Sequence, residues 1–389
     1  MTDPAARPSA RQLVRYFLYL GSLGFGGPAA LLGYMQRDLV EKRRWFTMEE
    51  YKKSLVLSQI APGPLAAQLA ICLGFIHSRV GGATLVGLAF ILPSYLMTVA
   101  IGMVYVRYGG LPWMQAVFYG VGATVIAIIT RAAWKLNITT NGRDRLLWAI
   151  GAVSAALTVI TESEAALVFL AAGLLVMLVE APPAWLRRTR GAPASLWALA
   201  PLWLYQGLGE PAPTDVIWKL LAFFAKAGAF VFGSGLAIVP FLYGGVVQEH
   251  RWLNDQQFLD AVAVAMITPG PVVITVAFIG YLVAGQVGAL VAAIGVFLPV
   301  YFFVVIPYPW FDRWSGNPQL RAFVNGVTAA TTGAIAGACV VLARRAIFDV
   351  PTLIIGAVAL LVVWRFKVPE PFLIAGGAAV GLLAFGLKG

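Results

Sequence analysis

The tripeptide Pro-Gly-Pro stands at positions 62–64 and again at 269–271, at matching places in two copies of a longer pattern. With a constant offset of 207 residues (269 − 62), positions 25–64 align with 232–271 without a gap. Ten of the forty pairs are identical, among them Phe25/Phe232, Gly26/Gly233, Arg44/Arg251 and Trp45/Trp252. The likeness continues with small gaps through Leu92-Pro93-Ser94-Tyr95 against Leu298-Pro299-Val300-Tyr301. Proline removes a backbone donor and clashes with the preceding turn, and glycine admits non-helical dihedrals, so each copy predicts a helix broken inside an apolar run. Breaks at corresponding places of two halves point to a membrane transporter and to its binding site.

Composition agrees with that class. Hydrophobic residues make up 60% of the chain, charged residues 12%, and the mean hydropathy is +0.82, as in an all-α polytopic membrane protein. The net charge of +11 invites a nucleic-acid partner, but the lysines and arginines sit in short loops between apolar segments, as cytoplasmic loop bias produces. The expected surroundings are therefore a lipid bilayer, with no nucleic acid. Cys72 and Cys339 both lie in apolar runs and read as buried thiols, and His77 and His250 have no second ligand at metal spacing, so neither metal nor cofactor is expected. Nucleotide loops, zinc-protease helices, nucleophile elbows and dinucleotide fingerprints are absent from the sequence, which reads as a non-enzyme. Uphill transport would then draw on an ion or counter-substrate gradient.

The segment pattern predicts two homologous six-segment repeats, 12–181 and 216–389, behind a short polar tail, 1–11. A linker, 182–215, carries the brief apolar run Ala194–Leu208. The first two segments of each repeat, 12–36 with 54–77 and 216–243 with 258–284, are the broken ones, either kinked crossings or re-entrant hairpins. As hairpins, they put nearly all basic residues of the first half on one side, with Arg107 alone opposite; as crossings, the basic loop 37–53 changes sides. The charge bias favours hairpins and a cytoplasmic N-terminus in a multi-pass protein of the cytoplasmic membrane. Charge does not orient the second half. If Ala194–Leu208 spans, the repeats are inverted, and we favour inversion because that short segment is otherwise unexplained. Thr47 with Glu50, and Asn254 with Gln257, have capping-box spacing and predict helix starts.

A helix broken inside a bilayer leaves orphan N–H groups on the next half-helix, which lipid cannot satisfy. Leu65–Ile71, Val272–Phe278, Ala29–Tyr34 and Leu236–Tyr243 would be such half-helices, and their electropositive starts suit an anion. Close helix packing is the competing reason for the glycines and prolines. The candidate binding residues are the breaks themselves, Gly24, Phe25, Gly26, Gly27, Pro62, Gly63, Pro64, Gly233, Ser234, Gly235, Pro269, Gly270 and Pro271. Beside them stand Ser58, Gln59, Gln68, Thr268 and Thr275, whose polar groups fit either ligand oxygens or the broken backbone. Lys226, inside an apolar run, is a candidate counter-charge that could equally snorkel to the interface. Gly333–Gly337 and Gly377–Gly381 have the spacing of packing seams. An oxyanion channel would use the same electropositive tips, whereas an embedded enzyme would need a reactive constellation that the sequence lacks.

Several of these motifs together resemble the chromate ion transporter family in its long, two-domain form. They are Gly24-Phe25-Gly26-Gly27-Pro28, Ser58-Gln59-x-x-Pro62-Gly63-Pro64, Met266-x-Thr268-Pro269-Gly270-Pro271, and the run from Phe278-Ile279-Gly280-Tyr281 to Gly288-Ala289. The resemblance covers about residues 12–387. It implies two halves in opposite orientation and a secondary transporter exporting chromate, conferring chromate resistance, by exchange with sulfate or coupling to protons. An oxyanion channel, or a transporter of another anion such as sulfate, is the alternative, and a homo-oligomer is compatible. Where the family often carries an acid just before Met266 and an amide at position 275, this chain has Ala265 and Thr275.

Overall fold

The computed structural model describes residues 7–25, 27–108, 112–161, 166–182, 213–230, 238–311, 317–366 and 368–386, and all secondary structure among them is helical. Ala194–Leu208, Gly26, Gly233, Ser234 and Gly235 lie outside the described residues.

The first half runs α1 (Ala10–Leu23), α2 (Gly27–Met35, widening into a π-helical turn at Gln36–Lys42), α3 (Met48–Ile60) and α4 (Leu65–Tyr108). Then come α5 (Pro112–Asn141), α6 (Arg145–Thr161) and α7 (Ala166–Glu180). The second half runs α8 (Pro213–Phe230), α9 (Ile238–Leu242, followed by a π turn at Tyr243–Glu249), α10 (Asp255–Ile267) and α11 (Thr275–Val305). It ends with α12 (Pro318–Ala346), α13 (Val350–Arg365) and α14 (Glu370–Gly386). Both expected capping boxes form, Thr47 with Glu50 and Asn254 with Gln257. One expected half-helix differs. Val272–Ile274 is a 3-10 turn and the α-helix starts only at Thr275, whose hydroxyl donates to the Val272 carbonyl (2.7 Å) and holds the tighter turn.

Contacts far apart in sequence show that the chain doubles back at the breaks. The Ser58 hydroxyl lies 3.8 Å from the Cys72 sulfur, and Leu57 packs with Ile71 and Phe75. Fourteen residues of straight helix would separate Ser58 from Cys72 by about 21 Å, so α3 and the start of α4 run antiparallel about Pro62–Pro64. Arg43 lies over the Tyr16 ring at 5.3 Å and Trp45 meets the same ring at 6.5 Å, so α2 likewise returns toward the start of α1. Phe223, 207 residues after Tyr16, meets Trp252 at 5.7 Å and does the same for α8 and α9.

A second reversal sits inside α4. As one straight rod its 44 residues would measure about 66 Å, twice a hydrocarbon core of ~30 Å. Ser78 (φ −147°, ψ 38°) and Arg79 (φ 52°, ψ −138°) instead turn it into two antiparallel arms, 65–77 and 80–108. Gly74 and Gly82 face each other across the turn, and a Cβ on either would strike the other's carbonyl oxygen. In α11, Ala284 and Gly285 (φ 60°) make the same turn, with Gly280 against Gly288. Each half thus starts with two returning hairpins before its long outer arm.

The long helices interlock the halves. Asn137 on α5 donates to the Thr332 carbonyl on α12 (2.8 Å), while Thr130 pairs with Cys339, so seven residues back on one helix match seven forward on the other: α5 and α12 are antiparallel. Gly120 on α5 packs against Gly377 and Gly381 of α14, and Gly333 and Gly337 of α12 pack on Gly151 and Ala155 of α6. Both expected seams are therefore helix contacts, where missing side chains let backbones touch. Outside, Leu85, Leu88, Leu92 and Leu96 on α4 and Val287, Leu290, Ile294, Leu298 and Phe302 on α11 form exposed stripes at helical spacing. Such stripes, on helices long and apolar enough to cross, belong against lipid. The chain is a multi-pass membrane protein.

Two outcomes test this topology. Ser58→Cys, with Cys339→Ser, should form an intramolecular disulfide with Cys72 in the membrane, identified by peptide mapping. Gly82→Val should cost about 1–3 kcal/mol, read as a lower Tm in detergent. Gly81→Val, where an added Cβ meets nothing within 4 Å, should leave Tm unchanged.

Candidate functional site

Local sequence makes two kinds of breaking turn, and tertiary contacts bring them together across the halves. The Gly270 N–H, from the second Pro-Gly-Pro, donates to the Gly24 carbonyl at the end of α1 (3.0 Å). Ser94, just after Pro93 on the outer arm of α4, sits at that crossing, where its hydroxyl lies 2.7 Å from the Pro269 carbonyl and 3.2 Å from that of Gly21. The other Pro-Gly-Pro occupies the related place: a Cβ on Gly63 would meet Val300, which follows Pro299 on the outer arm of α11. Each Pro-Gly-Pro of one half therefore packs against the proline-marked arm of the other. Gly63 (φ 135°) and Gly270 (φ 96°) take backbone angles that only glycine accepts without strain.

The polar candidates are committed to backbone carbonyls. Gln68 is fully buried, and its Nε2 donates to the Pro62 (2.6 Å) and Ala61 (3.2 Å) carbonyls. Those two carbonyls fix the amide's orientation and leave its Oε1 buried without a donor among the described residues. Thr268 donates to the Val264 carbonyl, Ser58 to Ser54 (2.8 Å) and Ser22 to Leu18 (2.7 Å). Thr275, 207 residues after Gln68, caps Val272 in the same manner. The Gln68 amide thus serves two carbonyls at the break that lipid could not satisfy, whereas the hydroxyls add a second donor to carbonyls within their own helical turns.

Gln59 and Lys226 stand apart from this cluster. Gln59 is exposed. Lys226 is exposed on α8, 6.0 Å from the Phe241 ring centre, and near enough to act on His250 in the loop before α10. Burial among Phe223 and Trp252, stacked at 4.3 Å, holds the His250 imidazole below its ordinary value; Glu249 opposes this, and Lys219 and Lys226 add to it.

Sequence reasoning missed three residues. Ser94 joins the halves, and its signal was the proline beside it in an apolar run. Thr98, one turn further on the same arm, is buried, and its hydroxyl has no partner among the described residues. Asp260 on α10 is 3% exposed and receives hydrogen bonds from Tyr105 (2.6 Å) and Gln256 (2.9 Å). A cavity of about 410 Å³ lies beside Asp260, lined by α5 and α10 rather than by the broken turns. No group of three or more metal-ligating side chains occurs among the described residues.

A sequence model described as chromate transporter matches residues 11–177 and 218–382. The chain is 59% identical over 378 residues to a "Chromate transport protein" of Cupriavidus metallidurans, covering 97% of this chain and 94% of that protein. It is 56% identical over 378 residues to a "Probable chromate transport protein" of Synechococcus elongatus (96% and 95% covered). It is 32% identical over 400 residues to a "Chromate transport protein" of Pseudomonas aeruginosa (97% and 93% covered). No solved structure matches the chain significantly.

Gln68→Leu should cost about 1–3 kcal/mol by orphaning two buried carbonyls, measured as loss of Tm in detergent. For His250, the neutral ring is favoured in the fold, so its share of stability is complete above its unfolded value of about 6.5 and is lost as pH falls. Wild-type Tm should therefore drop on acidification through that range, and His250→Phe should flatten the drop.

Proposed function

The chain belongs to the chromate transporter family, and from that premise we propose that it is a secondary transporter carrying chromate out across the cytoplasmic membrane, with the dianion held where the broken turns of the two halves meet. The observation that carries this reading is the Gly270 N–H bond to the Gly24 carbonyl with Ser94 at the crossing. It joins the turn before one half-helix to the break before another, where backbone donors converge without a buried arginine. Helix starts carry partial positive charge, and an oxyanion needs donors in place of its hydration shell. Ser94, Thr98, Gln68 and Thr275 supply polar groups around the turns, and the Ser94 and Thr275 hydroxyls can rotate from carbonyl to ligand.

The antiparallel α5 and α12 support a pair of inverted repeats, 12–181 and 216–389, because these helices hold matching places in the two halves. The returning hairpins support re-entrant segments that leave the N-terminal tail on the cytoplasmic side with the basic loops. Inverted repeats with broken helices at the midplane suit alternating access. Lys226, away from the turns, then acts on the anion only at long range. The uphill step draws on counter-sulfate or on protons.

The test is radiolabelled chromate flux in proteoliposomes with sulfate or a proton gradient on the opposite side. Saturable, trans-stimulated flux is expected. Ser94→Ala should lower it about tenfold or more, the equivalent of one lost hydrogen bond to a charged ligand, while Lys226→Ala changes it less. Flux without saturation would mean a channel, and the absence of flux under every gradient would overturn the substrate.

A further inference from the structure

A carboxylate almost wholly buried in a membrane protein that carries an anion stands against the protein's own electrostatics. Asp260 is such a group, about one and a half turns into α10 and about 10 Å along the helix axis from its end at the second Pro-Gly-Pro. Burial of an ionised acid is costly without a counter-charge, and intramembrane acids of this kind mark proton or ion paths. Among the described residues no lysine or arginine pairs with it, and none lines the cavity beside it.

The surrounding elements offer little charge. The outer arm of α4 brings Tyr105, whose hydroxyl donates to one carboxylate oxygen; α5 brings Tyr119, already donating to Asp349 (2.5 Å) at the start of α13. The π turn after α9 brings Tyr243 and α12 brings Arg345, and both are taken by Asp255, at 2.6 and 2.7 Å. On α10 itself Gln256 donates to the other oxygen. The other titratable groups on these helices are Tyr95, Arg107 and Tyr108 on the outer arm of α4, Arg131 and Lys135 of α5, Tyr281 and Tyr301 of α11, Arg321, Cys339 and Arg344 of α12, and Glu370 of α14; none of them hydrogen-bonds Asp260 or lines the cavity beside it. N–H and O–H donors face the carboxylate, which suits a group exchanging a proton rather than one coordinating a metal cation. The residue 207 positions earlier is Lys53, so the fold itself does not demand an acid there.

We propose that Asp260 is a proton-binding site, and that its proton controls the contact between the first half, through Tyr105, and the second re-entrant hairpin. The step is an association: a proton from the cavity side joins the carboxylate to give the neutral acid, and leaves again in the reverse step. The ionised form accepts from Tyr105 and ties α4 to α10. The neutral form offers Tyr105 only an uncharged acceptor, a weaker partner than the carboxylate, and the tie loosens. Tyr105 also packs edge-on to Phe278 at 5.3 Å, on the short arm of α11, so it touches both limbs of that hairpin. Neutralising Asp260 also removes a negative charge near the path of a dianion. This coupling rests on the transporter reading above; the proton site itself does not.

The experiment uses the full chain in liposomes. Infrared difference spectra between acid and alkaline pH should show a carboxylic-acid C=O band that Asp260→Asn removes. Tyr105→Phe, which keeps the acid but takes away a donor to its ionised form, should make that band appear at higher pH. In parallel, chromate flux should vary by up to about tenfold per pH unit, as one proton allows, and the variation should vanish in Asp260→Asn. An unchanged band in Asp260→Asn, or an unmoved one in Tyr105→Phe, overturns the site. Wild-type flux that ignores pH while the band behaves as expected overturns the coupling. If wild type carries no chromate at all, the substrate reading fails and the spectra still decide Asp260.

Discussion

Everything at the centre of this protein follows from one constraint: a helix broken within a bilayer must find partners for its backbone inside the protein. The two Pro-Gly-Pro turns meet that demand differently. The first is closed from within, by the Gln68 amide lying across the Ala61 and Pro62 carbonyls. The second is closed from the opposite half, by Ser94 on Pro269 and by the Gly24 carbonyl on the Gly270 N–H. The polar groups beside the breaks are thus the ones that keep the turns folded.

Reversal is the second consequence. A hairpin of helices inside lipid gains little from apolar burial, because lipid is as apolar as a leucine, so its arms must gain by close contact. Gly74 on Gly82 and Gly280 on Gly288 provide it next to their turns. The glycine pairs between α5 and α14 and between α6 and α12 provide it between halves. Leu85, Leu88 and Leu92 and their counterparts on α11 face outward and stay exposed.

Local features were legible in the sequence because their causes are local. Both capping boxes form where Thr47 and Asn254 precede Glu50 and Gln257, the glycine seams are seams, and the apolar segments are helices. Polar residues near the breaks were recognisable as important, but not which partner each would choose. Ser58 and Thr268 bond to their own helices, Gln59 and Lys226 face outward, and Ser94 and Asp260, unremarkable as letters, sit where the halves meet.

The sequence by itself determined that the chain is helical, membrane-embedded and broken twice at Pro-Gly-Pro, since hydropathy and backbone chemistry are properties of neighbouring residues. Only the tertiary structure decided that the breaks are reversals rather than kinks. Proline and glycine interrupt a helix in both cases, and the direction taken afterwards depends on distant contacts: Ser58 with Cys72, Tyr16 with Arg43, Phe223 with Trp252. The charge of Asp260 was visible from the start. Its significance was not, because burial and the approach of Tyr105 from the other half, 155 residues away, arise only when the chain is folded.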